Sequence, residues 1–468
     1  MHAGIEHHAR VGRLEQVRVG ADSGVAAEAL ENHGVGRGAR ATLVAGGGGV
    51  NPAASAGLTA GVRGVASSAV NPPHQETIRL AVVGGGPAGL RAAEAAASRG
   101  VAVTVFDGKP SVGRKFLVAG KSGLNLTHGE PREAFVSRYS GPHMPEGMWD
   151  GLLAGWDGAA TRAWAAGLGV ETFEASSGRV YPVEMKAAPL LRRWVQRLKG
   201  LGVRFEMNHR WTGIEPGRPQ RLEFANGGSV SADAVVLALG GGSWPSTGSD
   251  GGWLPVLRSL GVRCNPLTPA NCGWEHPWPA AVLAAAEGMP LKNLHVRAGG
   301  VTVAGELMVT RYGLEGGAIY QLGAVLRGME TPAVTIDFKP TFTIERLVAK
   351  MQGVKRGFLK EAGVRWRLGD AARALLGGRE WDDAGELARE VKNHVVRLGL
   401  PRPLEEAISS AGGVSWDELD ENLMIRRMPG VFVAGEMIDW EAPTGGYLMQ
   451  GCFATGLRAG NAAADWIG

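Results

Sequence analysis

The segment from Ile78 to Gly89 constrains the fold of this chain more than any other. Its apolar run IRLAVV predicts a buried strand, and the turn GGGPAG follows at once. Glycine occupies the three fingerprint positions of a dinucleotide-binding turn: Gly84 allows a sharp turn, Gly86 lets backbone approach a pyrophosphate, and Gly89 lets helix and strand pack closely. The helix that follows would point its free N–H groups and positive end at the phosphates. The segment therefore predicts a Rossmann-type βαβ unit.

The second strand of this unit ends in a carboxylate. Asp107 closes the strand predicted at residues 101–106 and lies 18 residues after Gly89 (107 − 89). A spacing of about 20 residues is typical of an acid that binds ribose hydroxyls, and such an acid disfavours a 2′-phosphate. Small residues at Ala93 and Gly100 permit close contact between helix and sheet. The alternative is a tight strand–helix turn that binds nothing.

The rest of the chain divides into segments of different character. A chain of 468 residues exceeds what one hydrophobic core usually serves. We predict a disordered Gly/Ala/Ser-rich leader at residues 1–76 and the first part of an α/β nucleotide-binding domain at 77–266. A β-rich insert at 267–342 and a helical cap at 343–410 follow, and residues 411–468 complete the nucleotide-binding domain. The domain is thus interrupted by an insertion.

Composition argues against several other classes of protein. The formal net charge of +4 is small for this length and indicates no nucleic-acid partner. Three scattered cysteines without a CxxC pair predict a reducing, cytoplasmic setting. No segment has the roughly 18 to 20 apolar residues that a membrane span needs, and the N-terminus lacks a secretory signal. No HxxxH motif or carboxylate cluster predicts a metal site.

The fingerprint alone does not distinguish FAD from NAD, because both bind such a turn. No second GxGxxG with a following acidic strand is visible, which excludes a separate nicotinamide domain of the disulfide-reductase type. The glycine run at residues 240–242 lacks the spacing and is followed by Trp244 and Pro245, so it is interpreted as a loop.

Six further motifs give the chain a recognisable pattern over about residues 78–467. In chain order they are GRKFLVAGKSGLNLTH (113–128), GRVYP followed by KA (178–187), LALGGGSWPSTGSDGG (237–252), TRYGLEGGAI (310–319), AGGV (411–414) and VFVAGEMIDWEAPTGGYLMQ (431–450). In these residues the chain resembles the bacterial flavoproteins known as NAD(FAD)-utilizing dehydrogenases or aminoacetone oxidase-like FAD-binding enzymes.

That resemblance implies a flavoprotein fold with two dinucleotide-binding domains, and FAD bound in an extended form. The adenosine would lie near Asp107, the pyrophosphate over residues 84–89, and the isoalloxazine between residues 114–125 and the C-terminal segment. Glu436 takes the place of a residue that holds a ribityl hydroxyl, although Asp is more usual there. The implied cofactor-binding residues are Gly84, Gly86, Pro87, Ala88, Gly89, Asp107, Gly108, Arg114, Lys115, Asn125, Leu126, Gly240, Gly435, Glu436, Gly445, Gly446 and Tyr447.

Two positions depart from the pattern of the resembling proteins. Leu124 stands where many of them have a cysteine, so no thiol chemistry is expected there. Arg311 and Tyr312 follow Thr310 where a histidine is common, which excludes an imidazole acid or base at that point. We therefore expect a distinct subgroup.

Flavin performs the redox step itself, so few catalytic side chains are expected. Lys121 and Ser122 are candidates for proton exchange near the flavin N5, or for contact with the pyrophosphate or loop backbone. Arg311 could bind an anionic or carbonyl substrate, or form a structural salt bridge, and Tyr312 could act as an acid.

Other polar and aromatic residues are weaker candidates. Asp439 and Glu441 either face the flavin or belong to a solvated loop, and His276 is either an acid–base group or a structural histidine. Three tryptophans lie in helical patterns and are predicted to be core residues: Trp164, Trp194 and Trp366.

The sequence leaves three functions open. The first is an FAD-dependent oxidoreductase that acts on a small organic substrate, reduced by NAD(P)H or by the substrate. The second is an RNA-modifying flavoprotein, against which the missing basic stripe counts. The third is a non-catalytic flavin sensor or electron carrier.

Overall fold

The computed structural model describes residues 77–120 and 123–468. The predicted leader at residues 1–76 and the two candidates Lys121 and Ser122 lie outside the described residues. The strands are β1 Ile78–Val83, β2 Val103–Asp107, β3 Thr127–His128, β4 Thr172–Glu174, β5 Arg179–Pro182, β6 Arg204–Met207, β7 Trp211–Glu215, β8 Gln220–Phe224, β9 Ser229–Leu237, β10 Cys264–Ala270, β11 Trp274–Glu275, β12 Pro290–Ala298, β13 Val301–Thr310, β14 Gly313–Glu315, β15 Ala333–Asp337, β16 His394–Arg397, β17 Ser409–Val414 and β18 Val431–Val433.

The α-helices are α1 Pro87–Ala97, α2 Arg114–Ala119, α3 Arg132–Val136, α4 Met148–Gly155, α5 Gly158–Gly167, α6 Ala187–Gly200, α7 Leu254–Ser259, α8 Ala280–Ala286, α9 Gly317–Gln321, α10 Gly323–Arg327, α11 Ile344–Lys350, α12 Phe358–Arg365, α13 Asp370–Leu376, α14 Ala384–Lys392 and α15 Tyr447–Ile467. None of the described helices is long and apolar enough to cross a lipid bilayer.

A seven-stranded sheet forms the centre of the α/β fold. Its order is β6-β2-β1-β9-β8-β7, and β18 also pairs with β9. Strands β6, β2, β1, β9 and β18 are parallel, while β8 and β7 extend the sheet antiparallel. The last four residues of β1 are buried, as expected for a parallel strand covered by helices on both faces. The carboxyl ends of the parallel strands meet at one edge, where ligands bind in such sheets.

The first and last helices of the described chain pack closely together against this sheet. A Cβ on Gly456 would lie 2.3 Å from the carbonyl oxygen of Ala88, and one on Gly460 would lie 2.4 Å from that of Ala92. These two glycines are one turn apart on α15, so they let its backbone approach α1 directly. The close approach holds the start of α1 beside the C-terminal part of the chain.

Strands β10 and β17 form an antiparallel ribbon through which the chain leaves and re-enters the first domain. Between them, residues 274–398 build a second hydrophobic core around the sheet β11-β14-β13-β12-β15-β16. The segments predicted as a β-rich insert and a helical cap share this core, and β16 of the second pairs with β15 of the first. The reason is that α11 to α14 cover the apolar face of the insert's sheet.

Several elements were predicted from sequence within a few residues. The strand predicted at 78–83 is confirmed. The residue pattern also predicts helices at 187–199 and at about 447–467; α6 extends the first by one residue, and α15 confirms the second. Trp164, Trp194 and Trp366 are buried, which confirms them as core residues. The residue pattern also predicts separate strands at 229–230 and 234–238; the structure joins them into one continuous strand, β9, which ends at Leu237.

Candidate functional site

A cleft opens at the carboxyl edge of the central sheet. The loops after β1, β2, β6, β9 and β18 line it, so the fold brings together residues far apart in sequence. Of the residues proposed from the sequence for cofactor binding, these line the cleft: Gly84, Gly86, Pro87, Ala88, Asp107, Gly108, Arg114, Lys115, Gly240, Gly435 and Glu436.

The turn after β1 has the backbone geometry that its glycines predict. Gly84 has a φ of 107°, and a Cβ there would lie 2.2 Å from the carbonyl oxygen of Ala238. A Cβ on Gly89 would lie 1.9 Å from the carbonyl oxygen of Gly84, so helix and turn touch at that position. Gly86 caps α1, Pro87 opens it, and a Cβ on Gly86 would meet nothing within 4 Å. The first-turn N–H groups of α1 therefore face the cleft without intrahelical acceptors.

Asp107 places its carboxylate beside this turn. One oxygen accepts a hydrogen bond from the Gly85 N–H at 2.9 Å, and the other accepts one from the Lys109 N–H at 2.8 Å. Burial raises the pKa of Asp107, while these two backbone hydrogen bonds favour the ionised form. Each carboxylate oxygen has a further lone pair, so the side chain can also accept hydroxyl groups.

A polar network connects three of the loops at the inner end of the cleft. The Lys115 ammonium donates to Ser243 Oγ at 2.6 Å and to Glu436 Oε2 at 2.8 Å. The other Glu436 oxygen accepts from the Ser410 N–H at 2.9 Å. Cys452 lies at the same end, and burial together with the nearby Glu436 raises the pKa of its thiol to about 12. The thiol is therefore protonated at neutral pH.

Five proposed cofactor residues lie away from this cleft, around the start of α15. Gly446 caps α15 with a φ of 100°, and a Cβ there would lie 2.5 Å from the carbonyl carbon of Thr127. The Tyr447 ring stacks on His128 with centroids 5.3 Å apart. Asn125 Oδ1 is buried and has no hydrogen-bond partner among the described residues. A hydrogen-bond acceptor without a partner thus lies at the same end of the fold as the glycine-rich start of α15. The residues proposed for cofactor binding at this end are Asn125, Leu126, Gly445, Gly446 and Tyr447.

The two candidates of the insert, Arg311 and Tyr312, form the turn between β13 and β14 and do not line the cleft. The Tyr312 hydroxyl is hydrogen-bonded to Glu315, and the Arg402 guanidinium lies 4.6 Å from its ring centroid. Burial and the Glu315 carboxylate hold the pKa of Tyr312 well above its ordinary value. Arg311 is exposed and makes no ion pair with a described residue.

The Tyr312 ring reaches the segment that joins the insert to the first domain. A Cβ on Gly273 would lie 2.6 Å from Tyr312 Cε2. Two residues earlier, Asn271 donates to the Ala442 carbonyl oxygen at 2.8 Å and accepts from the Thr444 N–H at 3.2 Å. A short stretch of chain therefore connects the phenol with the glycines that precede α15.

The weaker candidates bond to other parts of the described chain. Asp439 is buried and accepts hydrogen bonds from Asn265 and from the Gly412 N–H. Glu441 forms an ion pair with Arg327 of the insert at 2.5 Å. The His276 ring bonds the Arg397 carbonyl oxygen at 2.6 Å, outside the cleft. Within residues 77–120 and 123–468, no group of three His, Cys, Asp or Glu side chains is arranged to hold a metal ion.

Sequence analysis missed part of the cleft wall. His209, Arg210 and Trp211 line it, as do Lys109 and Asp250. The signal was available for the first three residues, because they follow β6, a parallel strand whose carboxyl end must meet the same sheet edge. Arg210 is held there by an ion pair with Asp250 at 2.6 Å.

The arrangement suits a dinucleotide with a long, polar linker. The helix start at Gly86 can bind phosphate, the Asp107 carboxylate can accept ribose hydroxyls, and the Lys115–Glu436 pair offers polar groups further in. The unpaired Asn125 acceptor lies near the other glycine-rich helix start. The residues present therefore fit FAD.

Comparison with known proteins agrees with this geometry. Residues 78–462 match the family described as HI0933-like protein Rossmann domain. A 3-dehydro-bile acid delta(4,6)-reductase of Clostridium scindens is 28% identical over 418 residues, which cover 83% of this chain and 99% of the relative. A ribosomal RNA dihydrouridine synthase of Haemophilus influenzae is 22% identical over 392 residues, 79% of this chain and 94% of that protein.

Among solved structures, a 3-ketosteroid-delta4-(5alpha)-dehydrogenase from Rhodococcus jostii RHA1 in complex with 4-androstene-3,17-dione matches with a TM-score of 0.46 and 17% identity. The match covers 85% of this chain and 99% of that one. A quinol fumarate reductase of E. coli matches with a TM-score of 0.42 and 14% identity, over 84% of this chain and 70% of that chain.

The family match covers most of the chain and includes both parts of the central sheet. The cofactor is FAD, and the alternative of an RNA-modifying protein is not favoured. The chain belongs to the HI0933-like Rossmann-domain family and is an FAD-dependent oxidoreductase of a small-molecule substrate.

Proposed function

We propose that this enzyme reduces a carbon–carbon double bond conjugated to a carbonyl group, with NAD(P)H as the electron donor. Two relatives support this reaction. One is named for reducing delta(4,6) bonds of a 3-dehydro bile acid, and the other for forming dihydrouridine, in which a ring double bond next to a carbonyl is saturated. Both reactions add one hydride and one proton across a polarised double bond.

The observation that carries the proposal is the position of the Tyr312 phenol. Its ring lies against Gly273, and Asn271, two residues earlier, is hydrogen-bonded to the chain at Ala442 and Thr444, just before the glycines that precede α15. A tyrosine is protonated at neutral pH and can donate that proton. The saturation of a conjugated bond requires such a proton donor for the carbon next to the carbonyl. The Arg402 guanidinium over the ring would stabilise the phenolate that remains, until solvent returns the proton.

We assign the cleft residues to the cofactor. Gly84, Gly86 and Gly89 would shape the phosphate site, Pro87 and Ala88 would begin the helix above it, and Asp107 would accept the ribose hydroxyls. The other proposed contacts from the cleft are Gly108, Arg114, Lys115, Gly240, Gly435 and Glu436.

The flavin ring would lie at the start of α15. Helix N–H groups at Gly446 and Tyr447 would face its pyrimidine edge, where negative charge develops on reduction. The chemistry that FAD would supply there is hydride transfer between NAD(P)H and the substrate's double bond. The balance is one NAD(P)H oxidised and one double bond saturated, with the second hydrogen arriving as a proton.

Arg311 is proposed to bind the substrate carbonyl. Its guanidinium is exposed and has no ion-pair partner among the described residues, so its forked N–H groups are available to an acceptor. Lys121 and Ser122 remain proposals for proton exchange near the flavin. A cytoplasmic location fits the proposed donor and the three free cysteines, Cys264, Cys272 and Cys452.

Anaerobic spectroscopy tests the reaction. The FAD-loaded protein is mixed with NADH or NADPH, and bleaching of the visible flavin band is followed. The reduced protein is then mixed with a 3-oxo-delta(4) steroid, a simple cyclic enone, fumarate or unmodified ribosomal RNA. We expect bleaching by a nicotinamide donor and recovery of the band only with a conjugated carbonyl compound of low molecular mass.

Other outcomes would contradict parts of this proposal. If only RNA restored the flavin band, the substrate would be an RNA base and not a small molecule. A flavin that cycles between oxidised and reduced forms without converting any conjugated carbonyl would contradict the reductase assignment.

A further inference from the structure

An apolar sheet face lies next to the proposed flavin ring site and does not belong to either hydrophobic core. It is formed by the small sheet β3-β5-β4. Tyr181 of β5 pairs with Phe173 of β4, and their rings stack with centroids 5.9 Å apart. Phe173, Val183 and Met185 are 40%, 56% and 38% exposed. Clustered exposure of large apolar side chains marks binding surfaces more often than scattered exposure does.

The same face carries one cation. Side chains alternate along a strand, so Arg179 and Tyr181 point to the same side of β5 while Val180 between them is buried on the other. Arg179 is half-buried and forms no ion pair or hydrogen bond through its side chain with any described residue. A half-buried guanidinium without an ion-pair partner can receive an anion.

Contacts place this face beside both glycine-rich segments of the flavin ring site. A Cβ on Gly123 would lie 2.7 Å from Met185 Cε and 3.6 Å from Tyr181 Cε1. A Cβ on Gly445 would lie 3.8 Å from Arg179 Nε. The first glycine precedes Asn125 and the second precedes the start of α15. A molecule resting on this face would therefore have one end at the ring.

The backbone at Met185 supports a specific role for its side chain. Met185 has a φ of 57°, which residues other than glycine rarely adopt, and it is kept there by hydrogen bonds with Pro182 and Leu124. The conformation presents a flexible thioether to solvent next to Gly123. Methionine adapts its shape to irregular apolar ligands.

We infer that Arg179, Phe173, Tyr181 and Met185 form a substrate subsite, here called the platform, for an apolar ring system that bears a carboxylate. The apolar body would lie against the aromatic rings and Met185, and the carboxylate would be bound by the forked guanidinium of Arg179. The inference rests on the proposed function for the position of the flavin ring, and it adds the class of substrate that the enzyme prefers.

The test compares two ligands that share one apolar body. The probes are a 3-oxo-delta(4) steroid with a side-chain carboxylic acid and its methyl ester. Their binding to oxidised, FAD-loaded protein is measured by calorimetry and by the shift of the flavin spectrum, with no reductant present. We expect the acid to bind at least roughly tenfold more tightly than the ester, as for one charge-assisted hydrogen-bonded pair.

Matched variants locate the effect. Arg179→Gln should weaken binding of the acid by roughly tenfold or more and leave the ester unchanged. Phe173→Ala and Met185→Ala should weaken both probes, because each removes apolar contact. Arg204→Gln, at an exposed arginine on β6, is the control and should change neither.

Two results would overturn the platform: equal affinity of the wild-type protein for acid and ester, or equal loss of both in Arg179→Gln. Its failure can be told apart from failure of the proposed reaction. Discrimination between acid and ester without any enone turnover would contradict the reaction alone. Turnover of a simple enone without that discrimination would contradict the platform alone.

Discussion

At the scale of single residues, the glycines in the turn after β1 and at the start of α1 have different surroundings. The fold itself requires glycine at Gly84 and Gly89. A Cβ on Gly84 would lie 2.2 Å from a backbone oxygen, and a Cβ on Gly89 would lie 1.9 Å from one. Gly86 is different, since its φ of −80° suits any residue and a Cβ would meet nothing within 4 Å. Only a ligand that approaches the backbone closely can require glycine there.

Gly86→Ala should therefore fold normally and bind FAD poorly. The added methyl group projects to where the pyrophosphate would lie, so we expect the FAD dissociation constant to rise at least about tenfold, or ~1.4 kcal/mol. The melting temperature of the FAD-free protein should not change. Fluorescence titration and thermal unfolding measure the two quantities. Gly200→Ala, also in open space, is the control for both, and unchanged FAD affinity in Gly86→Ala would contradict the placement of the pyrophosphate.

Tyr312→Phe separates the two half-reactions. Bleaching of the flavin by NAD(P)H should proceed as in the wild type, because the phenol takes no part in it. Recovery of the flavin band by a conjugated carbonyl should slow by roughly 10²- to 10⁴-fold, the usual contribution of a general acid. Stopped-flow absorbance measures both rates, and an unchanged recovery rate would remove Tyr312 from the reaction.

The rate at which a conjugated carbonyl compound restores the flavin band should depend on pH in a predictable direction. An acid with a raised pKa stays protonated to higher pH, so the wild-type recovery rate should persist beyond a pH of about 10, the ordinary tyrosine pKa. Glu315 raises that pKa through its hydrogen bond and its charge. Glu315→Gln removes the charge, and the alkaline loss of rate should then begin at lower pH. A loss that begins at the same pH in both proteins would argue against Tyr312 as the titrating group.

At the scale of elements, the contact between α1 and α15 connects the turn after β1 to the proposed site of the flavin ring. Gly446 caps the start of α15, and the same helix packs against the first turn of α1 through Gly456. The two helix starts that would hold opposite ends of the cofactor are therefore fixed relative to each other by a backbone contact.

Gly460→Ala should loosen this contact. Its methyl group would lie 2.4 Å from the Ala92 carbonyl oxygen, so the helices must separate at a cost of about 1–3 kcal/mol in the free energy of unfolding. We expect a lower melting temperature and weaker FAD binding, measured by calorimetry and titration. Asp465→Asn, at an exposed ion pair on the same helix, is the comparison and should leave both unchanged.

Local sequence predicted the elements whose signals are local. Residues 78–89 predicted β1, the turn and the start of α1, since the apolar run and the glycine spacing lie within a dozen residues. The sharing of one core by residues 274–398 was not predicted, because β16 pairs with β15 across some 60 residues of helices. Pairing of Lys115 with Glu436, 321 residues apart, was likewise invisible, although each residue was proposed separately.

At the scale of the whole molecule, the chain has two hydrophobic cores with different relations to the cofactor. Every residue that lines the cleft lies within 83–115, 209–253 or 434–452, and none belongs to the core of residues 274–398. The insert is connected through the β10–β17 ribbon and the Arg327–Glu441 ion pair. The substrate chemistry proposed for Tyr312 would therefore depend on the contacts that hold the insert against the first domain.

Hydrogen exchange with and without FAD can measure how much each of the two cores is stabilised by the cofactor. Free FAD at a hundred times its dissociation constant stabilises whatever unfolds with the cleft by about 2.7 kcal/mol. Because the residues that line the cleft all lie outside the core of residues 274–398, amides of β1 and β9 should gain that protection while those of β12 and β13 gain much less. Glu441→Gln should lower protection in β12 and β13 by roughly 1–3 kcal/mol, since Arg327 loses a charged partner, and leave the gain in β1 and β9 intact. Equal gains in all four strands would mean that the two cores unfold as one unit, so that FAD binding itself would hold Tyr312 in place.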